Sequence, residues 1–146
     1  MGYFAELNKI TRALERILTS DVRLGSISKV YKAERFYAAS MDFPALFICS
    51  GRDDISELAV PNTQEHKIPF EIAVAVENSE MEEGRRQVLE LAGHVFDILK
   101  ESPSRDLEGA CEWYDLAAVD PVTLVDEQSG SITHWAAVEI LVHFIS

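Results

Sequence analysis

The sequence contains few of the residues from which metal sites and nucleotide sites are built. Only two of its 146 residues are cysteines, Cys49 and Cys111, and no Cys-x-x-Cys or Cys/His ligand spacing occurs, which disfavours a zinc site. The glycines are scattered, and neither a Gly-x-Gly-x-x-Gly turn nor a Walker-type loop is present. The sequence therefore predicts no metal and no nucleotide cofactor.

Long apolar segments are also missing. No apolar run approaches the roughly 18 residues that a membrane span needs. The first residues, Met1–Lys9, lack the basic segment and the long apolar stretch of a secretory signal. Cys49 lies in the apolar run Leu46–Cys49 and is interpreted as a small buried hydrophobe. This composition predicts a protein of a reducing compartment that has no membrane segment.

Basic residues are scarce, with 13 Lys and Arg against 25 Asp and Glu and a net charge of −12. Residues 1–75 hold 9 basic and 10 acidic residues, whereas residues 76–146 hold 4 and 15. Tight binding of nucleic acid requires basic groups that neutralise phosphates, so this composition disfavours it. Solvation alone explains an acidic surface; the alternatives are a surface that repels nucleic acid and one that meets a basic partner.

Hydrophobic periodicity predicts a single α+β domain over residues 1–146. One helix is expected from Tyr3 to about Thr19. A second is expected to begin after an N-cap at Ser79, with Glu82 completing a capping box, and to close at Lys100. Strands are expected at Ser28–Glu34, Ala45–Ser50, Lys67–Glu77, Leu116–Val125 with an interruption at Pro121, and Ser131–Ser146, whereas Ile55–Glu65 is expected to be irregular.

The strands Lys67–Glu77 and Ser131–Ser146 alternate apolar and polar residues most regularly, so they are the expected central pair. The expected fold is a central, mostly antiparallel sheet with two main helices packed on it, in the order helix, strands, helix, hairpin. Pro69 cannot donate to a sheet ladder, so its part of the strand is expected at an edge or a bulge.

The sequence contains few candidate catalytic residues. None of the four histidines has a partner at a recognisable catalytic or metal spacing, so each is interpreted as a surface or packing residue. Glu71 and Glu139 lie mid-strand among small and apolar neighbours, and three interpretations stay open. They form an acid/base pair, they point to the less buried face, or they line a subunit interface and meet a basic group such as Arg85 or Arg86. No catalytic residue is assigned, and the protein is expected not to be an enzyme.

Five segments together resemble a known family. They are Phe43–Ile48 followed by Gly51–Asp54, the long strand introduced by Gln64–Lys67, the helix Gly84–Leu99 and the closing strand Thr133–Phe144. In their order and hydrophobicity they resemble the tail-terminator, or tail-completion, proteins of long-tailed bacteriophages. The resemblance covers most of the chain and consists of a pattern of elements rather than a catalytic fingerprint.

The resemblance implies a structural virion protein of the phage tail, assembled in the host cytoplasm. Such proteins form rings, commonly hexameric, on the end of the tail tube, where they stop tube growth and present a surface to the head connector. The genome passes through the ring without being bound tightly, and the acidity of residues 76–146 would suit such a lumen. The alternatives are another head–tail joining or neck protein of similar fold and a small enzyme or ligand-binding domain that uses Glu71 and Glu139.

The candidate positions for an interface or a lumen come from two loops and from acidic residues elsewhere in the chain. The loops Arg35–Phe43 and Arg52–Glu65 are candidates by composition. The individual candidates are Arg35, Phe36, Tyr37, Arg52, Asp53, Asp54, Glu71, Glu80, Glu82, Glu83 and Glu139.

Overall fold

A computed structural model describes residues 2–33, 41–121, 125–128 and 131–146. The predicted loop positions Arg35, Phe36 and Tyr37 lie outside these residues. The helices are α1 (Tyr3–Thr19), a short 3-10 helix (Val22–Leu24) and α2 (Met81–Glu101). The strands are β1 (Lys29–Tyr31), β2 (Ala45–Ser50), β3 (Asp54–Glu57), β4 (Gln64–Glu77), β5 (Trp113–Asp120), β6 (Val125–Gln128) and β7 (Ser131–Ile145).

Both predicted helices form because each has an apolar stripe at helical spacing. In α1, Ile10, Leu14 and Leu18 are buried, and in α2 the stripe runs from Val88 to Leu99. No helix in the described part of the chain is both long and apolar enough to cross a membrane.

The predicted N-cap of α2 is wrong by one residue. Glu80, not Ser79, occupies the N-cap position, and its side chain makes no capping hydrogen bond. Instead, the side-chain oxygen of Asn78 accepts a hydrogen bond from the Glu80 N–H at 2.9 Å. An asparagine that bonds the backbone two residues on forms a local turn, and this turn delays the start of the helix.

The sheet of the described residues confirms the predicted fold class. Its strand order is β1-β2-β4-β7-β5, with β3 also paired to β4 and β6 also paired to β7. Only β1 and β2 run parallel, and every other pair is antiparallel. The predicted central pair is confirmed, because β4 and β7 are in register from Glu65↔Ile145 to Glu77↔Thr133.

Each long central strand is flanked on its outer side by two shorter ones. β2 and β3 share the outer side of β4, and β5 and β6 share the outer side of β7. Pro69 lies where β2 gives way to β3. From the pair Ser50↔Phe70 to the pair Asp54↔Lys67, the outer chain advances four residues and β4 only three. The extra residue is a bulge, as expected at Pro69, whose carbonyl accepts from the Gly51 N–H at 2.7 Å.

The predicted irregular segment Ile55–Glu65 is wrong at both ends. Asp54–Glu57 forms β3, and β4 already begins at Gln64. All four residues of β3 are exposed, so the strand lacks the apolar alternation from which strands are recognised in a sequence. The backbone of β4 provides the ladder that orders it.

The two faces of the sheet are covered differently. The main core lies between one face and the two helices, where Ile68, Phe70, Ile72 and Val74 of β4 are buried. A smaller core lies on the other face at the end of the sheet near Phe43, and consists of Ala45, Phe47, Ala73, Ala75, Trp135 and Ala137, with Tyr31, Met41 and Phe43 packed against it.

Gly84 of α2 packs closely against His134 of β7. His134 is fully buried, and its Nε2 lies 3.1 Å from the Asn78 carbonyl. A Cβ atom added at Gly84 would lie only 2.1 Å from that nitrogen. The helix therefore needs a residue without a side chain at this point.

We expect Gly84→Ala to destabilise the protein by about 1–3 kcal/mol, because the buried imidazole must move to admit the methyl group. Urea unfolding followed by circular dichroism measures the change. Gly93→Ala is the matched control in the same helix, since a Cβ there meets nothing within 4 Å, and it should raise stability by about 0.5–1 kcal/mol. Equal stability of the two variants would contradict this packing.

Candidate functional site

The half of the helix-free face that the smaller core does not cover is named here the open face. Strand alternation places on it Glu65, Lys67, Pro69 and Glu71 of β4, Glu139, Leu141, His143 and Ile145 of β7, Trp113, Asp115 and Ala118 of β5, Asp54 and Ser56 of β3, and Cys49 of β2. Five of these side chains are carboxylates and one is a lysine. The open face is therefore acidic and has apolar side chains among its charges.

Glu71 and Glu139 lie directly opposite each other in the β4–β7 ladder. Residues paired in this way have Cβ atoms about 4.5–5.5 Å apart, and like charges at that spacing repel. Glu139 is exposed and Glu71 is half-buried. The pairing therefore concentrates negative charge on the open face.

Arg85 and Arg86, the basic groups proposed for this pair from the sequence, both lie on α2. Arg86 on α2 is bonded to Glu83 at 2.5 Å and to Glu90 at 3.0 Å. α2 packs on the opposite face of the sheet, so within one chain Arg86 does not meet Glu71 or Glu139. Its hydrogen bond holds the pKa of Glu83 below its usual value.

An aromatic and acidic corner ends the open face on the β5 side. The Trp113 ring stacks on the His143 ring with their centroids 4.3 Å apart. His143 Nε2 lies 3.0 Å from Asp115 Oδ2, and its Nδ1 lies 3.9 Å from Glu65 Oε1. Trp113 remains 44% exposed. A large aromatic side chain held rigidly and left exposed is typical of an interface anchor.

A buried polar cluster lies on the other side of the sheet, near the start of α1. His66 bonds Asp53 Oδ2 through Nδ1 and Ser146 Oγ through Nε2, both at 2.6 Å. Tyr3 donates its hydroxyl to the same oxygen of Asp53 at 3.0 Å, and Phe144 stacks on His66 at 4.3 Å. The Asp53 side chain is only 8% exposed, so this predicted interface residue belongs to the interior, whereas Arg52 and Asp54 are exposed.

Hydrogen bonds connect Ser146 to His66 and His66 to Asp53, which is how the serine, histidine and aspartate of a serine-hydrolase catalytic triad are connected. The triad serine commonly helps to stabilise the oxyanion with its own backbone N–H. Here the Ser146 N–H donates to the Gln64 carbonyl at 3.0 Å within the β4–β7 ladder. The cluster is therefore better explained as a buried polar link that joins α1, β4 and the end of β7.

Sequence reasoning missed both histidine–carboxylate pairs, because their members are distant in the sequence. Thirteen residues separate Asp53 from His66, and 28 separate Asp115 from His143. One signal was available, since His66 has the same parity as Ile68 and Phe70 and so points into the main core.

The predicted acidic residues of α2 lie at the start of that helix. Glu80 and Glu82 are exposed, and Glu83 is half-buried. They are distant from the open face because α2 packs on the helix-covered side. Within the described ranges, no group of three or more His, Cys, Asp or Glu residues is arranged to hold a metal ion.

The comparisons with known proteins concern the fold. No protein-family model matches the sequence, and no curated protein matches it. Among solved structures, the fold is similar to that of a chain in the virion of a native gene transfer agent particle. The TM-score is 0.50, the sequence identity is 14%, and the similarity covers 91% of this chain and 92% of the other. The two chains thus share the same overall fold over nearly their whole lengths.

We expect Asp53→Ala to destabilise the protein by about 1–3 kcal/mol, because it leaves the buried His66 Nδ1 without its partner. Asp54→Ala, one residue along the chain and exposed, should change stability by less than about 0.5 kcal/mol. Urea midpoints of the two variants provide the comparison. A neutral Asp53→Ala variant would show that the cluster contributes nothing to the fold.

The thiol of Cys111 should be unreactive in the folded protein. Burial, reinforced by the carboxylates of Asp106 and Glu112, raises its pKa to about 12. At pH 8 only about one molecule in 10⁴ then carries the reactive thiolate. In a Cys49→Ser variant, Ellman's reagent should react slowly, about tenfold faster for each pH unit gained, and rapidly once urea unfolds the chain. Reaction at the rate of free cysteine in the native state would contradict this.

Proposed function

We propose that this protein is a structural subunit of a phage-like virion, and specifically a ring-forming tail terminator. The observation that carries the proposal is the similarity of fold to a chain of a virion particle, which extends over nearly all of both chains. The order and hydrophobicity of the segments from Phe43 to Phe144 supply the second argument, because they resemble the tail-terminator proteins.

The charge distribution supports a place beside passing DNA. Glu77, Glu80 and Glu82 are exposed around the start of α2, and residues 76–146 carry a net charge of −11. A surface of this charge repels the phosphate backbone, so DNA would slide past it rather than adhere. We propose that this surface faces the lumen of the ring, with the tail tube and the head connector as axial partners.

We propose that the protein acts by shape and without catalysis. The competing proposal, an enzyme that uses Glu71 and Glu139, requires both carboxylates in a pocket. Glu139 instead stands exposed on the open face, and neither residue lines the cleft of about 400 Å³ between α2 and Phe43. A Glu139→Gln variant that assembled normally but lost a measurable activity would favour the enzyme.

The decisive experiment mixes the purified protein with its cognate tail tube protein. We expect rings in negative-stain micrographs, and tubes whose length stops increasing once the protein is added. Tubes that lengthen at the same rate with and without the protein would overturn the terminator function. Rings that bind the head connector but never the tube would assign the protein to the neck instead.

A further inference from the structure

The outer side of α1 carries exposed basic side chains. Lys9 and Arg12 are exposed on neighbouring turns of the helix, and neither makes an ion pair within the described residues. Arg16, the next basic residue on this side, is held by Glu108 at 2.8 Å. Residues three and four apart share one side of a helix, so the two unpaired cations form a single basic patch.

The same side of α1 is concave and has an apolar side chain at one end. A shallow cavity of about 410 Å³ runs beside the helix and is lined by Ala5, Asn8, Lys9 and Arg12 and by the Arg16–Glu108 ion pair, among others. Phe4, the residue before Ala5, is 75% exposed. The name basic groove is used here for Phe4, Asn8, Lys9 and Arg12 with this cavity.

The open face has the complementary features. Its carboxylates include the exposed Glu139 and the 58%-exposed Asp115, and its apolar side chains include Trp113 and Ile145, which are 44% and 48% exposed. An acidic surface with apolar anchors fits a basic surface with an apolar anchor, and complementary charges also exclude wrong pairings. Two copies of the open face would repel each other.

These two surfaces lie on opposite sides of the molecule. α1 packs on the helix-covered face of the sheet, and its exposed side points away from that face, whereas the open face is the other face. A contact between unlike surfaces on opposite sides is head-to-tail, and it closes into a ring when the rotation between copies allows.

We propose that the open face of one copy docks on the basic groove of the next copy, in a head-to-tail contact between subunits. This inference rests on the proposed function, because it supplies the subunit contact of the ring. In the contact, Lys9 and Arg12 of one copy lie against the carboxylates of the other. Trp113 and Ile145 bury apolar surface beside them.

Two charge-reversed variants test the contact. The first carries Lys9→Glu with Arg12→Glu, and the second carries Glu139→Lys. All three side chains are exposed, so both variants should fold, and circular dichroism melts check this. We expect each variant alone to assemble roughly 10- to 100-fold more weakly than the parent, because like charges then face each other. Mass photometry and sedimentation velocity measure assembly, with and without the tube protein.

Mixing the two variants is the sharpest measurement. In an alternating arrangement every contact pairs opposite charges again, so a 1:1 mixture should assemble although neither variant does so alone. Asp97→Lys is the matched control, since it makes the same charge change on an exposed residue of α2 outside both surfaces, and it should assemble like the parent. Added salt should weaken assembly of the parent.

The outcomes separate this inference from the proposed function. If both variants assemble like the parent, or if the mixture stays dissociated, the head-to-tail contact is overturned while the terminator function stands. If the parent protein itself neither forms rings nor binds tubes, both proposals fail. Rescue in the mixture, with the Asp97→Lys control intact, establishes the contact.

Discussion

The pairing of β4 with β7 is the interaction on which the rest of the structure depends. The two strands run side by side from Glu65↔Ile145 to Glu77↔Thr133, and every other strand except β1 is attached directly to one of them. A ladder of this length is possible because both strands alternate strictly, so one register buries Ile68, Ile72 and their neighbours on one face. A slip by one residue would turn that apolar set to the wrong side.

The same register determines which side chains of β4 and β7 lie together on the open face. It brings Glu71 opposite Glu139, and the pairing of β5 with β7 places Trp113 against His143. These side chains lie outside the main core, and the two paired carboxylates repel each other. The open face is therefore the surface to which the proposed assembly contact is assigned.

Three of the four histidines are polar residues in the interior of the protein. His66, His134 and His143 are all buried, and each has a hydrogen-bonding partner, namely Asp53, the Asn78 carbonyl and Asp115. They sit at the ends of the long strands, where helix starts and loops approach the sheet. Through these partners, His66 links the sheet to α1, His134 links it to the start of α2, and His143 links β7 to β5. Removing a partner from a buried polar group is costly, so these links stabilise the fold.

Periodicity alone determined the two helices, the central pair of strands and the order of elements, because burial of one side imposes a regular spacing on apolar residues. The interruption at Pro121 was predicted from the proline, which has no N–H to donate to a sheet ladder. Periodicity did not reveal β3, whose four residues are all exposed and which is ordered only by the backbone of β4. Nor did it place the N-cap of α2, which an asparagine turn displaced. The partners of Asp53 and Asp115 depend on which strands become neighbours, and spacing along the chain carries no information about that. The tertiary structure alone decided that the carboxylates of the sheet centre and the cations of α1 lie on opposite sides of the molecule, since only the packing of helices on one face separates them.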